Sequence, residues 1–334
     1  MANIFQGKNI LVTGGTGSIG SEIVRKVLQH EPRVVRVLSN DENGLFNLEQ
    51  ELQSYSNVRF LVGDIKDKER LQMAVENIDF IFHAAALKHV PLCEFNPFEA
   101  VKTNVLGTQN VIEVAMEEEI EKLITISTDK AANPVNVMGA SKLLAERLTI
   151  SANYYKGWRK TAFSCVRFGN VLDSRGSVVP LFREQIEKGG PITITGPEMT
   201  RFVMSIPKAV DLVLRAAEIA QGGEIFIFKM PALRIGDLAA AMIEELAPQY
   251  GYKPEGIKME VAGKRAAEKN HEELLTEDEA INARETEDMF IISRIRGKQE
   301  QKITPIKRYT SDKVTLLSKE GIKEMLREDL PQLL

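Results

Sequence analysis

Two rhythms of apolar and polar positions alternate along the first half of the chain. Short apolar runs, Ile10-Leu11-Val12, Val34 to Leu38, Val58 to Val62 and Phe80 to His83, read as strands. Between them apolar residues recur at three- and four-residue spacing: Ile23, Val24, Val27 and Leu28, then Leu45, Leu48 and Leu52, then Leu71 and Val75. That is the spacing of helices with one buried face. Ile120 to Ser127 and Phe163 to Phe168 continue the series as fifth and sixth strands. Short apolar strands alternating with amphipathic helices predict a parallel sheet covered on both faces, a doubly wound α/β architecture.

After Asn170 the rhythm breaks. Gly176, Pro180, Gly189, Gly190, Pro191, Gly196 and Pro197 mark loops and turns. A helix over Pro207 to Ala220 and a strand over Glu224 to Phe228 return to the first pattern, and from Pro231 the chain is more polar. The charged stretch from Glu268 to Glu287 reads as a solvated helical surface. These shifts predict two interleaved lobes: residues 1–170 with 205–230 as a nucleotide-binding domain, and 171–204 with 231–334 as a smaller α/β substrate-binding lobe.

Composition narrows the class. A length of 334 residues suits two lobes, and 43% hydrophobic with 27% charged residues excludes disorder or a fibrous chain. Forty-three basic against 47 acidic side chains give a net charge of -4, which argues against a general nucleic-acid binder. It leaves room for a local basic pocket holding a phosphorylated small molecule. Cys93 and Cys165 are too few for a disulfide framework and point to a reducing cytoplasm. Met1 to Lys8 has no signal-peptide core and no apolar run nears the ~18 residues of a membrane span, so no membrane association is expected. Four histidines and an isolated Cys93 make no metal-ligand cluster.

The candidate chemistry starts at Thr13-Gly14-Gly15-Thr16-Gly17-Ser18-Ile19-Gly20, between the first strand and the first helix. Glycines 14, 17 and 20 let the backbone turn tightly and approach a pyrophosphate, with the free amides of the helix N-terminus beyond. In a βαβ series this loop, with Thr16, Ser18 and Ile19, points to a dinucleotide. At the end of strand two, where an acid would read a ribose 2′-hydroxyl, the chain has Ser39-Asn40-Asp41-Glu42. Ser39 leans towards NADP, with NAD still open, because no Arg or Lys stands beside it. Asp64, followed by Ile65, either meets the adenine amino group or makes a turn or helix cap.

Strand five runs into Ser127-Thr128-Asp129-Lys130, and Met138-Gly139-Ala140-Ser141-Lys142 follows. Strand carboxyl ends are where doubly wound sheets bind ligands. This segment, the Gly-rich loop, Ala84-Ala85-Ala86-Leu87-Lys88-His89-Val90-Pro91 and Arg175-Gly176-Ser177-Val178-Val179-Pro180 resemble the extended short-chain dehydrogenase/reductase superfamily, a Rossmann fold. Within it they are similar to the UDP-N-acetylglucosamine 4,6-dehydratases of polysaccharide biosynthesis and flagellin glycosylation. The resemblance runs over roughly residues 5 to 330 and is weakest beyond Gly251.

The superfamily usually has Tyr-x-x-x-Lys, with Tyr as acid/base. Here Met138 stands in its place, and Met exchanges no proton. Either the chain only senses NADP(H), or proton transfer has moved to Asp129 and Lys130; the Met variants of the dehydratase group keep Thr-Asp-Lys, which favours an active enzyme. The resemblance implies a tightly bound, internally recycled nicotinamide cofactor. Oxidation at C4 makes the C5 hydrogen acidic, water leaves across C5 and C6, and the hydride returns to C6; C5 inversion stays open. Lys130 is then the base, Asp129 the acid and Thr128 the partner of the C4 oxygen, with Lys142 on the nicotinamide ribose. Ala84, Ala85, Ala86, Lys88 and Asn104 join the cofactor residues, Asn104 fixing the backbone near strand five.

For a UDP-sugar the resemblance implies Arg201 and Arg265 at the phosphates, Asn170 at the diphosphate, Val178 in the loop around uracil and Glu268 at the ribose. Lys88, His89 and Met138 lie near the sugar. Ala266-Ala267 replaces the group's usual Pro-Gly before Glu268, a departure in the local backbone. A 4-epimerase or reductase is the enzymatic alternative, against which the Thr-Asp-Lys run argues. Helices within Asn96 to Glu119 and Val137 to Tyr155 are expected at a homo-oligomer seam.

Overall fold

In the computed structural model, which describes residues 3–293 and 306–329, every apolar run of the first half is a strand. These are β1 (Asn9–Thr13), β2 (Val34–Ser39), β3 (Val58–Val62), β4 (Phe80–His83), β5 (Lys122–Thr128) and β6 (Ala162–Phe168). The later strands are β7 (Asn170–Val171), β8 (Ile192–Ile194), β9 (Thr200–Met204), β10 (Glu224–Phe228), β11 (Ala232–Arg234), β12 (Met259–Val261), β13 (Glu273–Leu275), β14 (Ala283–Glu285), β15 (Met289–Ser293) and β16 (Tyr309–Thr310). One large sheet has the order β14-β15-β10-β6-β5-β4-β1-β2-β3, parallel from β10 to β3.

The alternation of side chains along each strand divides the core in two. Ile10 and Val12 of β1 and Phe80 and Phe82 of β4 pack on one face, with Ile23, Val24 and Val27 of helix α1 (Ser18–Leu28) and Leu45 and Leu48 of α2 (Glu42–Glu51). Leu11 and Ile81, between them, pack on the other face with Leu71 and Val75 of α3 (Lys68–Val75). Helices α4 (Val90–Phe95), α5 (Pro97–Ala100), α6 (Thr108–Glu117) and α7 (Val137–Tyr155) follow, with a π-helical stretch at Val101–Gly107. Period-two strands with both faces apolar leave no wet side, so helices cover both, as the doubly wound architecture requires.

The remaining helices are α8 (Val178–Glu187), α9 (Ile206–Ile219), α10 (Ile235–Leu246), α11 (Glu277–Ala280) and α12 (Lys319–Asp329). A separate apolar cluster joins Val179 and Phe182 of α8, Leu238 and Met242 of α10, and Ile322 and Leu326 of α12. β14 and β15, inside the range expected for the smaller lobe, instead extend the large sheet as antiparallel edge strands beside β10.

The stretch from Glu268 to Glu287 is not a solvated helix. It forms β13, the single turn of α11 and β14, and Glu272, Glu273 and Glu279 are buried. Each has a cation: Arg308 donates to Glu273 at 2.6 Å, Arg167 to Glu279 at 2.8 Å, and Lys130 lies 3.5 Å from Glu272. A buried carboxylate needs such a partner, and charge composition alone does not reveal it. Arg167, fully buried in β6, uses all five of its N–H groups: two on Glu146 of α7 at 2.9 and 2.6 Å, two on Glu279 at 2.8 and 3.0 Å, and one on the Leu274 carbonyl at 3.0 Å. Burial alone would lower the guanidinium's proton affinity, but the carboxylates of Glu146 and Glu279 raise it above the usual value.

Candidate active site

A cavity of about 590 Å³ opens at the carboxyl ends of β1, β4, β5 and β6. Its floor is the Gly-rich loop. Gly14 sits at φ +65°, and a Cβ there would lie 2.6 Å from the Ala85 backbone; a Cβ on Gly20 would lie 2.2 Å from the Gly14 carbonyl. Gly17, Ser18, Ile19 and Gly20 line the cavity, and no side chain caps α1, so its first amides are left for a ligand. Three buried polar atoms on the wall, Ser127 Oγ, Asn170 Oδ1 and Ser177 Oγ, have no hydrogen-bond partner among the described residues. A close-approach glycine cradle, free helix amides and orphaned polar atoms together fit a dinucleotide with a second polar ligand.

At the far end of β2, Ser39 Oγ and Thr16 Oγ1 are 2.8 Å apart. Asn40 donates to Asp64 at 3.1 Å. Asp64 also accepts from the Lys66 amide at 2.9 Å, which makes a turn; the cap of α3 is Asp67. Ile65 is buried below them. Ala84, Ala86, Lys88 and His89 line the cavity, while Ala85 packs on Gly14. Burial, and then the charge of Arg175, lower the proton affinity of Lys88; burial and Lys88 do the same to His89.

Asn104 does not reach β5. Its side chain accepts from the Leu87 amide at 2.8 Å and donates to the Leu87 carbonyl at 3.0 Å and to Ser141 Oγ at 2.9 Å. It therefore ties the loop after β4 to α7, and its place on the π-helical stretch turns it inward. Beneath it Thr108 donates to the Asn104 carbonyl at 2.7 Å and lies 3.0 Å from His83 Nε2, while Thr13 Oγ1 lies 2.7 Å from Nδ1. With the Thr108 proton committed, Nε2 donates and Nδ1 accepts. Burial, then the charge of Lys142, push the His83 pKa down to about 3, so the ring is a neutral strut. Its place at the last position of β4 was the signal that sequence reading passed over.

Thr128, Asp129 and Lys130 stand where β5 ends in a short 3₁₀ turn. Asp129 is fully buried, and its Oδ1 accepts from Thr128 Oγ1 at 2.8 Å and from Lys130 Nζ at 3.0 Å. Glu272 Oε1 lies 3.5 Å from the same Nζ. Asp129 Oδ2 and Glu272 Oε2 have no partner among the described residues. Burial alone would push the Lys130 ammonium down, but the charges of Asp129 and Glu272 outweigh it and hold its pKa above the ordinary lysine value. Lys142 is different. Its Nζ donates to the Ile126 carbonyl at 2.6 Å and burial pushes its pKa down to about 8. Met138 is buried against Cys93 and Ala100, on the cavity wall.

Around Arg201, in β9, the polar side chains bond to protein atoms. Arg201 is buried and spends its fork on protein: the Thr200 and Asn270 carbonyls at 2.8 and 3.1 Å, and Glu268 at 3.0 Å. Arg201 and Glu268, expected on phosphate and ribose, thus pair with each other. Arg201 does not line the large cavity but a small recess beside it, with Asn170 and Val178. Arg265 is exposed, its backbone amide 3.3 Å from Glu268. Sequence reading missed Glu272, hidden in a run of charges, and Arg175, which reaches the Gly-rich loop from the far side of the cavity.

The model of a family described as polysaccharide biosynthesis protein matches residues 10–294. A Methanocaldococcus jannaschii protein named as an uncharacterized membrane protein is 62% identical over 98% of both chains; among the described residues, no helix is long and apolar enough to cross a membrane. A Campylobacter jejuni protein named UDP-N-acetylglucosamine 4,6-dehydratase (inverting) is 40% identical over 97% of each chain. One from Rickettsia canadensis named UDP-glucose 4-epimerase is 38% identical over 97% of this chain and 96% of its own. The solved structure of Pen from Bacillus thuringiensis superposes with a TM-score of 0.91, at 46% identity, covering 96% of this chain and 98% of Pen. By family match and by fold, this chain belongs to the polysaccharide biosynthesis protein family and is an extended short-chain dehydrogenase/reductase.

Proposed function

We propose that the chain is a sugar-nucleotide 4,6-dehydratase that converts UDP-N-acetylglucosamine to a 4-keto-6-deoxy product with the help of bound NADP. The observation that carries this reading is the 3.0 Å hydrogen bond from Lys130, on the wall of the cavity above the Gly-rich loop, to Asp129 buried behind it. A bound nicotinamide would supply reversible hydride transfer. The Gly-rich loop and the α1 amides would hold its pyrophosphate, and Lys142 its nicotinamide ribose.

The proton accounting closes within three side chains when Lys130 enters as the amine and Asp129 as the carboxylate. As hydride leaves C4, the C4 hydroxyl proton passes through Thr128, which donates to Asp129 Oδ1, and makes Asp129 the acid; Met138 offers no such route. The Lys130 amine then takes the C5 hydrogen, Asp129 protonates the C6 hydroxyl, and water leaves. As hydride adds at C6, the Lys130 ammonium returns a proton to C5, so both side chains end as they began.

Glu272 works against the neutral amine. Glu272→Gln removes a negative charge 3.5 Å from Lys130 and so lowers its pKa. The limb of the pH–rate profile set by loss of the Lys130 proton is expected to move to lower pH. An unmoved limb detaches Glu272 from Lys130.

The direct test is proton NMR of the protein with UDP-N-acetylglucosamine in D2O without added cofactor. A new C6 methyl signal with deuterium at C5 is expected, and its ring couplings report C5 inversion or retention. Interconversion of C4 epimers without a methyl signal would establish the epimerase instead. The reading includes a cytoplasmic setting, supported by two free, buried cysteines, and self-association, supported by the exposed apolar side chains Phe98, Val101 and Leu144 on adjoining helices.

A further inference from the structure

We infer that Arg175 recognises the 2′-phosphate of the cofactor's adenosine ribose, so that a cation supplied from across the cavity selects NADP over NAD. This rests on the cofactor reading above. Residues 173–177, just after β7, cross the cavity as a strap bent by left-handed residues at Asp173 (φ 56°) and Gly176 (φ 71°). The strap lies close on the loop after β4, since a Cβ on Gly176 would stand 2.5 Å from the His89 ring. At its centre the Arg175 amide donates to Ser18 Oγ at 3.1 Å. The guanidinium donates to the Thr16 carbonyl and lies 3.5 Å from Asp41 Oδ2.

Those contacts bracket one corner. Ser39, which stands where a 2′-hydroxyl-reading acid would be, bonds Thr16 Oγ1 at 2.8 Å and accepts from the Asp41 amide at 3.2 Å. The guanidinium touches the residues on both sides of Ser39. An acid at this corner favours a 2′-hydroxyl and repels a 2′-phosphate. The nearest carboxylate, Asp41, is committed elsewhere: Oδ1 caps α2 by accepting from the Gly44 amide at 3.0 Å, and Oδ2 faces Arg175. The exposed, long ion pair holds Arg175 only weakly, so a phosphate can draw its fork away at little loss. A phosphate there would meet the Arg175 fork and the hydroxyls of Ser39 and Thr16. The local sequence around Ser39 lacks a cation, and this one comes from 134 residues beyond Asp41.

The test is calorimetric titration of nucleotide-free protein with NADP and with NAD, for wild type, Arg175→Met and Arg175→Lys. Wild type is expected to bind NADP roughly tenfold to a hundredfold more tightly than NAD, the range of a hydrogen-bonded charge pair. Arg175→Met should erase most of that preference with NAD affinity held within about twofold, and Arg175→Lys should restore part of it. Equal loss for both nucleotides would make the strap a mere cover and overturn the inference. So would wild type with no preference, or with a preference for NAD, either of which leaves the cofactor reading standing. Binding of neither nucleotide would bring both down.

Discussion

Lys130→Met protein is expected to bind the nicotinamide cofactor as wild type does and to lose exchange of the C5 hydrogen with solvent. The fall should be roughly 10²–10⁴-fold, the usual contribution of a positioned general base. Met fills the space of the lysine stem without a basic nitrogen, but it also leaves Asp129 and Glu272 facing each other without their cation. Lys130→Arg separates the two effects. It keeps a positive charge between the carboxylates, yet a guanidinium does not give up its proton, so it should be as inactive in exchange. Deuterium incorporation followed by NMR checks both variants. C5 exchange retained in either would remove Lys130 from the base role.

Arg167→Met should be the most destabilising single change away from the cavity. It strands Glu146 and Glu279 in the core, where breaking a buried ion pair costs about 3–5 kcal/mol. Thermal unfolding reports the loss. The pH dependence identifies the cause. In the intact protein burial would raise the Glu279 pKa, but hydrogen bonds from Arg167 hold it below the ordinary glutamate value. A carboxyl depressed on folding contributes stability above its unfolded pKa, about 4.3, and loses it as pH falls through the folded value. Without Arg167 the burial effect is left, the sign reverses and acid relieves the strain. The deficit of the variant should therefore narrow as pH drops from about 7 towards 5. A deficit that does not change with pH would point to lost packing instead.

The doubly wound sheet was readable because each strand is apolar on both faces and each covering helix repeats its apolar residues at helical spacing. Leu11, sandwiched between Ile10 and Val12, shows the rule at work: it packs under α3 while its neighbours pack under α1. The Gly-rich loop and Thr128-Asp129-Lys130 were legible for the same local reason, since they are contiguous and sit at strand ends. What local pattern did not show was the pairing of residues distant in sequence. Glu272, Glu273 and Glu279 look solvated until Lys130, Arg308 and Arg167 are brought to them. Arg201 and Glu268 each resembled a ligand contact, and only the fold shows that they meet. Asn104 was expected to serve β5, but a π-helical turn, invisible in the pattern, aims it at Leu87.

The order of the strands has a consequence for how the protein is made. The Gly-rich cradle is built from the first ninety residues or so, and Asp129 and Lys130 leave the ribosome soon after. Glu272 and Glu279 come more than a hundred residues later, and β15 closes onto β10 after them. Domains fold in the direction of synthesis, so a nascent chain can shape the nucleotide cradle while its paired charges are still incomplete. Arg167 waits in the core strand β6 for Glu279 to arrive. A chain cut short before residue 272 would keep the Lys130–Asp129 pair without its second carboxylate and leave Arg167 with Glu146 as its one remaining carboxylate partner.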